Sequence, residues 1–420
     1  NKVSLNIYSK SLYGWAVVVG AFVSHFLSYG TLVVAFGIFF PFMAESLGWG
    51  RGLLASATVL ARATAALVGP FMGPWVDKYG PRIFVFLGAV SLAGGAGSLA
   101  LVHSPWQLFA AYGVVLALGA VALGDLTADS TVSKWFVRRR ARAIAFTTMG
   151  MSAAGIALPI PLAFLIVHFG WREAWIAVAV VIAVLGALAA PLMRRRPEDY
   201  GMIPDGAAGR QHEERTMPPM EVSLTRNEAV HTPAFWLLVA STNLAALAIF
   251  GVNLHLFSYI TDQGISIGLA AAAITYLYLL QTLAKPLWSL IAERLAVRYC
   301  LTICYAGGAL GIVILIGASS PVGLFAFATV YGLTRGAQSF VSSLAWSDYF
   351  GRDSQGAIRG ILFPFKFVSG SGGPVLAGLL YDLQGDYTLA FSVFVLAFAL
   401  GSFAALIARP PQSAPAALLD

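Results

Sequence analysis

Long apolar runs, separated by short charged turns, make up most of this 420-residue chain. Twelve such runs lie near residues 14–43, 51–76, 82–103, 106–132, 139–167, 172–193, 234–261, 269–297, 299–318, 321–350, 356–383 and 387–410. A helix rises ~1.5 Å per residue and needs ~20 apolar residues to cross a hydrocarbon core ~30 Å thick, so each run predicts a membrane-spanning helix. The runs are continuous rather than alternating, and far longer than barrel strands, which argues against a β-barrel. The first two runs are parted only by the turn from Glu45 to Gly50. One long polar stretch, 194–233, separates six runs from six. The expected organisation is therefore an amino-terminal six-helix bundle over 1–193, a cytoplasmic linker over 194–233 and a carboxy-terminal six-helix bundle over 234–420. Within the linker, Ser223 to Val230 predicts a short surface helix, and Pro233 suits the first turn of the seventh run.

The two halves echo one another. Gly73-Pro-Trp-Val-Asp77-Lys78-Tyr-Gly80-Pro-Arg82 recurs 216 positions later as Ser289-Leu-Ile-Ala-Glu293-Arg294-Leu-Ala296-Val-Arg298, with Pro70 falling on Pro286. At an offset of 215, Gly155, Pro159 and Gly170 fall on Gly370, Pro374 and Gly385. A duplicated, mostly apolar chain predicts an all-α membrane protein of two pseudo-symmetric six-helix bundles, working by movement of one half against the other.

Composition agrees: 58% of the residues are hydrophobic and 11% charged, too apolar for a water-soluble chain of this length. Placing both termini in the cytoplasm puts twenty of the 26 Lys and Arg on that side, including Lys134, Arg138 to Arg140, Arg142 and Arg194 to Arg196. Only Arg51 and Arg172 fall outside and four lie within helices, an asymmetry that fixes the expected orientation. The net charge of +7 is then membrane-surface electrostatics rather than a nucleic-acid footprint, because the basic clusters adjoin spans and no reading module accompanies them. The first run is longer than a signal-peptide core and lacks a small-residue cleavage site, so it is read as retained. Cys300 and Cys304, one turn apart on a single helix, read as small apolar fillers.

Several motifs resemble a known family. The stretch Gly73 to Arg82 is similar to the loop signature between helices 2 and 3 of the major facilitator superfamily, and its degenerate copy sits where that superfamily has a second one. Tyr13-Gly14-Trp15, Ser133 to Arg140, Gly170-Trp171-Arg172, Arg196 to Gly201 and His255 to Gly264 extend the resemblance over nearly the whole chain. They resemble the monocarboxylate transporter and oxalate:formate antiporter branch. The resemblance implies that Asp77 pairs with a cation at the start of helix 11, here Arg359. By pseudo-symmetry Glu293 pairs with Arg142 at helix 5. Such pairs act as gates that hold one access state, or as loop staples with no switching role. In the second copy Ser289 and Ala296 replace glycines, so the likeness there is weaker.

An ionisable group in hydrocarbon costs on the order of several kcal/mol unless paired or hydrated, so each one marks a candidate site. Arg62, Lys285, Arg335 and Lys366 lie inside spans, against Asp125 and Asp129 near the cytoplasmic end of helix 4. An excess of buried cations is economically neutralised by an anionic substrate. Counting from 356, Lys366 is expected about 15 Å into helix 11, and Lys285 about 12 Å from the inner face, at ~1.5 Å per residue. The Lys366-x3-Gly370-x3-Pro374 pattern resembles the oxalate:formate branch, which implies that Lys366 holds a substrate carboxylate. Lys285 falls where that branch usually has an Arg doing the same work. Lys is a compact point charge, poorer at bidentate grip but able to lose its proton when desolvated. Arg335 either lines the substrate path or pairs internally, and Arg62 either contacts substrate or pairs with Asp125. Tyr331, Tyr276 and Asn243 are candidate hydrogen-bond donors to a carboxylate. His255, near the outer end of helix 7, either carries a coupled proton, closes an outer gate or bonds a neighbouring carbonyl. His25, on the first run, carries a weaker signal.

The expected function is secondary transport of a small mono- or dicarboxylate by alternating access, either proton symport or anion exchange. Its expected setting is a bacterial inner membrane, as a monomer with the lipid bilayer and a small carboxylate as partners, joined by protons in the symport mode. The alternative on the same scaffold is efflux of amphipathic drugs or other solutes. No metal-ligand cluster, phosphate loop or nucleophile motif appears in the sequence, so neither enzyme chemistry nor a cofactor is expected.

Overall fold

The computed structural model describes residues 2–136, 140–202, 224, 226–292, 294–318, 320–350 and 361–411. Every regular element among the described residues is helical. Ten of these helices are long and apolar enough to cross a membrane, and they match the expected runs except 321–350 and 356–383. Those two are present as Pro321–Arg335 with Gln338–Phe350, and as Leu362–Gln384. The first span runs from Lys2–Tyr29 through a wide turn at Gly30–Ala35 into Phe36–Leu47, and the second is Arg51–Tyr79. The third is Pro81–Ala100, and the fourth continues from Pro105–Leu108 through Ala117–Leu123 to Asp125–Trp135. The fifth is Arg140–Ala157 with Pro159–Phe169, and the sixth Trp171–Ala189. After the short helix Arg226–Val230 come Pro233–Asp262, Ile267–Ala292 and Val297–Ile316, the seventh to ninth spans, and Thr388–Ile407 closes the series as the twelfth.

Local chemistry explains the ends. Gly80 takes φ 86° and Pro81 occupies the first turn of the third span, where a missing N–H costs nothing. Gly170 and Gly385, partners in the sequence repeat, both adopt positive φ, 94° and 80°, at the ends of the fifth and eleventh spans. The repeat also extends to helix starts. Ser104 caps the helix opened by Pro105, and Ser320 Oγ accepts from the Gly323 N–H ahead of Pro321. Three expected runs prove to be interrupted. Gly124 turns extended and splits the fourth, Pro159 starts a new helix after Leu158, and Gly336–Ala337 divides the tenth.

Small residues draw the helices together, as packing in lipid requires. In the amino-terminal half, Gly88 and Gly119 bring the third and fourth spans into backbone contact, Gly186 seats on Ala89 between the sixth and third, and Gly150 meets the Phe22 carbonyl between the fifth and first. In the carboxy-terminal half the ninth span packs on the tenth through Gly307 and Gly311, and on the twelfth through Gly308. Gly373 of the eleventh meets the Leu247 carbonyl of the seventh. Each half thus repeats the same neighbours, third with fourth and sixth, ninth with tenth and twelfth. Hydroxyls add cross-helix bonds, Thr64 to the Gly113 carbonyl at 2.7 Å and Ser402 to that of Thr302 at 2.9 Å. The outward surface stays apolar, with Leu67, Val322 and Leu383 exposed by 72%, 80% and 81%, as suits contact with lipid tails.

Contacts divide the chain into two compact units. One holds Asn1–His212 with Asn253–Tyr278, the other Glu213–Val252 with Leu279–Asp420. The end of the seventh span and the start of the eighth therefore cluster with the first six spans.

Candidate functional site

Five of the expected substrate contacts fall in the second unit. Its eighth span is clasped to the tenth: the Trp288 indole donates to the Leu333 carbonyl at 2.8 Å, and Gly336 lies against the Gln281 carbonyl and Ala284. A side chain at Gly336 would collide there, so glycine is what lets the two backbones close. That contact sets Lys285, one residue before the in-helix Pro286, and Arg335, the last residue before the break in the tenth span, on adjoining stretches of neighbouring helices. Both side chains are partly buried. The Arg335 guanidinium lies 6.0 Å from the Tyr331 ring.

Lys366 opens a stripe on the eleventh span. Ser369 and Gly373, three and seven residues on, share its side of the helix and meet the seventh span at Asn243, Leu247 and Gly251. The Ser369 hydroxyl donates to Asn243 Oδ1 at 3.0 Å, while Asn243 Nδ2 donates to the Val239 carbonyl at 2.8 Å. Asn243 is thus a cross-link that steadies the helix carrying Lys366. The described helix begins at Leu362, which puts Lys366 about 6 Å along it, and residues 356–360, from which the 15 Å expectation is counted, lie outside the described residues. Its side chain is exposed. Tyr331 is 1% exposed, against Gly311, Phe327 and the edge of Phe398, which is a packing position.

The remaining candidates lie in the first unit or beyond the described residues. Tyr276 is half-buried in the first unit, two residues before Tyr278, whose hydroxyl lies 3.2 Å from that of Tyr29. His255 is fully buried, its ring edge-on to Phe40 at 4.9 Å. Arg359 and Glu293 fall outside the described residues, as do the side chains of Asp77, Arg142 and Asp125, so neither the expected gate pairs nor an Arg62–Asp125 pair is placed. Arg62 is half-buried within electrostatic reach of the Tyr112 hydroxyl, which donates to the Leu32 carbonyl at 2.7 Å.

Two ion pairs were not anticipated. Arg51 holds Asp262 bidentately, at 2.6 and 3.0 Å, from the start of the second span to the end of the seventh. His25 Nε2 lies 3.0 Å from Asp129 Oδ1, joining the first span to the fourth, and the Thr147 hydroxyl of the fifth reaches the same oxygen at 3.3 Å. The partners stand 211 and 104 residues apart, so no spacing rule connects them; the signal available was a charged residue or histidine on each helix.

The motif residues that carried the family resemblance converge on the linker end of the first unit. Arg194 stacks over Tyr13 at 3.9 Å and Tyr200 at 4.3 Å, the Trp135 indole donates to the Arg194 carbonyl at 2.9 Å, and Gly14 lies against Phe136. Arg172 donates to the Ala100 and Val102 carbonyls at 2.7 and 3.1 Å, closing the end of the third span. These residues fasten helices.

Comparison with known proteins agrees with this architecture. The family model of the Major Facilitator Superfamily matches residues 17–278 and 261–418. Human monocarboxylate transporter 11 is 27% identical over 405 residues, covering 93% of this chain and 82% of the relative. The agnestins efflux protein AgnL12 of Paecilomyces divaricatus is 25% identical over 405 residues, with 94% and 86% covered. The MFS transporter asaE of Aspergillus flavus is 27% identical over 391 residues, with 90% and 82% covered. Among solved structures, the bacterial homolog of the human lysosomal transporter Spinster, inward-facing and occupied, superposes with a TM-score of 0.70 at 15% identity, over 94% of each chain. That likeness concerns the fold alone. With the family model spanning nearly all of both halves, this chain is a multi-pass transporter, not an enzyme, and belongs to the Major Facilitator Superfamily, whose monocarboxylate-transporter branch it resembles.

Proposed function

We propose that the chain is a secondary active transporter of a small organic anion, a mono- or dicarboxylate, moved by alternating access through proton symport or anion exchange. The observation that carries this reading is the charge of the second unit. Its spans hold Lys285, Arg335 and Lys366, with Lys285 and Arg335 brought onto adjoining stretches by the Trp288 and Gly336 contacts. Among the described residues of those spans the carboxylates are Asp348 and Asp382, each within a turn of its helix end. Cations partly buried in a bundle, as Lys285 and Arg335 are, favour an anionic guest, and a carboxylate is the guest that lysine and arginine bind through charge-assisted hydrogen bonds. Relatives named monocarboxylate transporters support the same class. Lys366 is assigned the principal carboxylate contact, with Lys285 and Arg335 completing the cationic surface. Tyr276 and His255 are assigned to the path or its closure. Asp77–Arg359 and Glu293–Arg142 are assigned to the gates, and the lysine and arginine asymmetry to cytoplasmic termini.

The test is uptake of radiolabelled acetate, lactate, oxalate and succinate into proteoliposomes by the purified protein and by Lys366→Ala. The reading expects at least one anion to be taken up by the wild type and lost in the variant, with melting temperature retained. Uptake by Lys366→Ala at the wild-type rate sinks the site assignment. A second reading, efflux of a larger solute, is supported by the likeness to AgnL12. It expects no uptake of any of the four anions, and extrusion of an amphipathic dye from loaded vesicles.

A further inference from the structure

The first unit contains a protonatable pair that the carboxylate reading leaves unused. His25 sits in the middle of the first span, 2% exposed, and Asp129 on the fourth is 29% exposed. Nε2 and Oδ1 are 3.0 Å apart, and the Thr147 hydroxyl approaches the same carboxylate oxygen from the fifth span. The close approach is built by Gly150, which meets the Phe22 carbonyl and the His25 Cβ, so three helices converge on the imidazole. The imidazole end of the pair is buried and the carboxylate end is partly exposed.

We propose that His25 and Asp129 together bind the proton that is coupled to anion transport; the proposal rests on the carboxylate reading and selects symport from its two modes. With His25 neutral and Asp129 ionised the pair carries one negative charge. One proton from water converts it to imidazolium and carboxylate with no net charge, and no other bond changes. Histidine is the side chain whose ordinary titration spans the pH range of most compartments. The charge of the incoming anion is then matched by one proton, and the cycle is electroneutral for a monocarboxylate.

The helices packed on the pair carry other ionisable groups. Tyr29, one turn beyond His25 on the first span, turns to Tyr278. Lys134 lies further along the fourth, and Asp125 on the same helix, with Arg140 and Arg142 on the fifth, have side chains outside the described residues. The sixth span brings Arg172 and Glu173 at its far end, and of the spans packed on Asp125–Trp135 the second brings Arg51, Arg62, Asp77 and Lys78 and the third Arg82.

Solid-state NMR of protein labelled with 15N-histidine in lipid reads the proton without any substrate. The His25 signals, identified by their loss in His25→Gln, should pass from neutral to protonated as the pH falls. The midpoint should drop in Asp129→Asn, which keeps a hydrogen bond but cannot be charged. A ring that stays in one state over the whole range where the protein is folded overturns the proposal, and so does a midpoint indifferent to Asp129. In proteoliposomes given lactate and an inward proton gradient, the wild type should accumulate lactate about tenfold per pH unit of gradient, the equivalent of one coupled proton. Asp129→Asn should lose that accumulation while still exchanging lactate at a reduced rate; undiminished accumulation overturns the proposal. Should Asp129→Asn fail to fold, Asp129→Glu, which retains an ionisable group, should preserve both the titration and the accumulation, and losing either counts against it. If the wild type moves neither lactate nor oxalate, the carboxylate reading falls while the histidine titration still decides the pair.

Discussion

The two units differ in the cross-helix bonds that their described residues make. In the first, charges meet across helices: Arg51 grips Asp262, and His25 meets Asp129. In the second, bonds between neutral groups also cross the helices, Asn243 with Ser369, Trp288 with Leu333 and Ser402 with Thr302, and Lys285, Arg335 and Lys366 lie in spans whose described carboxylates, Asp348 and Asp382, sit near helix ends. Arg51 and Asp262 fasten helix ends, whereas His25 and Asp129 are the pair proposed above to carry a proton. On the carboxylate reading, the cations of the second unit serve an anion that arrives and leaves. The comparison therefore separates charges that maintain structure from charges that recognise.

If that division is right, substitutions in the second unit should change transport far more than stability. Lys366→Ala should lower carboxylate uptake by about a hundredfold or more, since losing a hydrogen-bonded charge partner costs ~2–5 kcal/mol. Lys366→Arg keeps the charge but changes its shape and should retain part of the rate. Proteoliposome flux and melting temperature together check this, and a collapse in melting temperature would place Lys366 among the structural charges instead. Lys285 should matter less. Lys285→Gln should cost about tenfold, roughly 1.4 kcal/mol. Lys285→Arg should raise the affinity for a dicarboxylate relative to a monocarboxylate, because the guanidinium fork grips two oxygens. Equal loss in Gln and Arg variants would mean that shape, not charge, is required there.

Neutral staples predict the reverse pattern. Gly373 has no room for a Cβ against the Leu247 carbonyl. Gly373→Val should therefore destabilise by at least ~1–3 kcal/mol, the usual cost of overpacking. Gly94, with nothing within 4 Å of its Cβ position, is the control. Gly94→Ala should be neutral or gain up to ~1 kcal/mol in the same thermal melts.

Much of the fold was legible because lipid imposes a simple rule: runs of apolar residues long enough to span must be helices. The repeat was legible too, since Gly170 and Gly385 had to be glycine for the positive φ they adopt. Helix breaks at Gly124 and Gly336 were not legible. Glycine inside an apolar run reads equally as a packing residue, and only the neighbouring backbone decides. Site candidates divided along the same line. Lys285, Lys366 and Arg335 stood out because a charge in an apolar run is costly wherever it points. Tyr331 and Asn243 did not announce their roles, because the sequence cannot say that one faces Phe398 and the other Ser369. His25 was weak in the sequence for the opposite reason: its partner lies on another helix 104 residues away.

The smallest expected effect tests the first unit's side of the comparison. Arg51 is 12% exposed and Asp262 31%, so water screens their pair and its net contribution to stability should stay near 0–1 kcal/mol despite the bidentate geometry. Arg51→Ala and Asp262→Ala should each lower the melting temperature slightly. The double variant should fall no further than the worse single one, because the second change removes a charge already left alone. The exchanged pair, Arg51→Asp with Asp262→Arg, should recover most of the loss. The pair also ties Arg51 at the start of the second span to the end of the seventh, so removing it should alter the rate of carboxylate flux more than the choice of substrate. Relative uptake of acetate, lactate, oxalate and succinate should keep its order in all four proteins. A changed order would move Arg51 from the charges that hold the bundle to those that read the anion, and the division between the units would fail at that point.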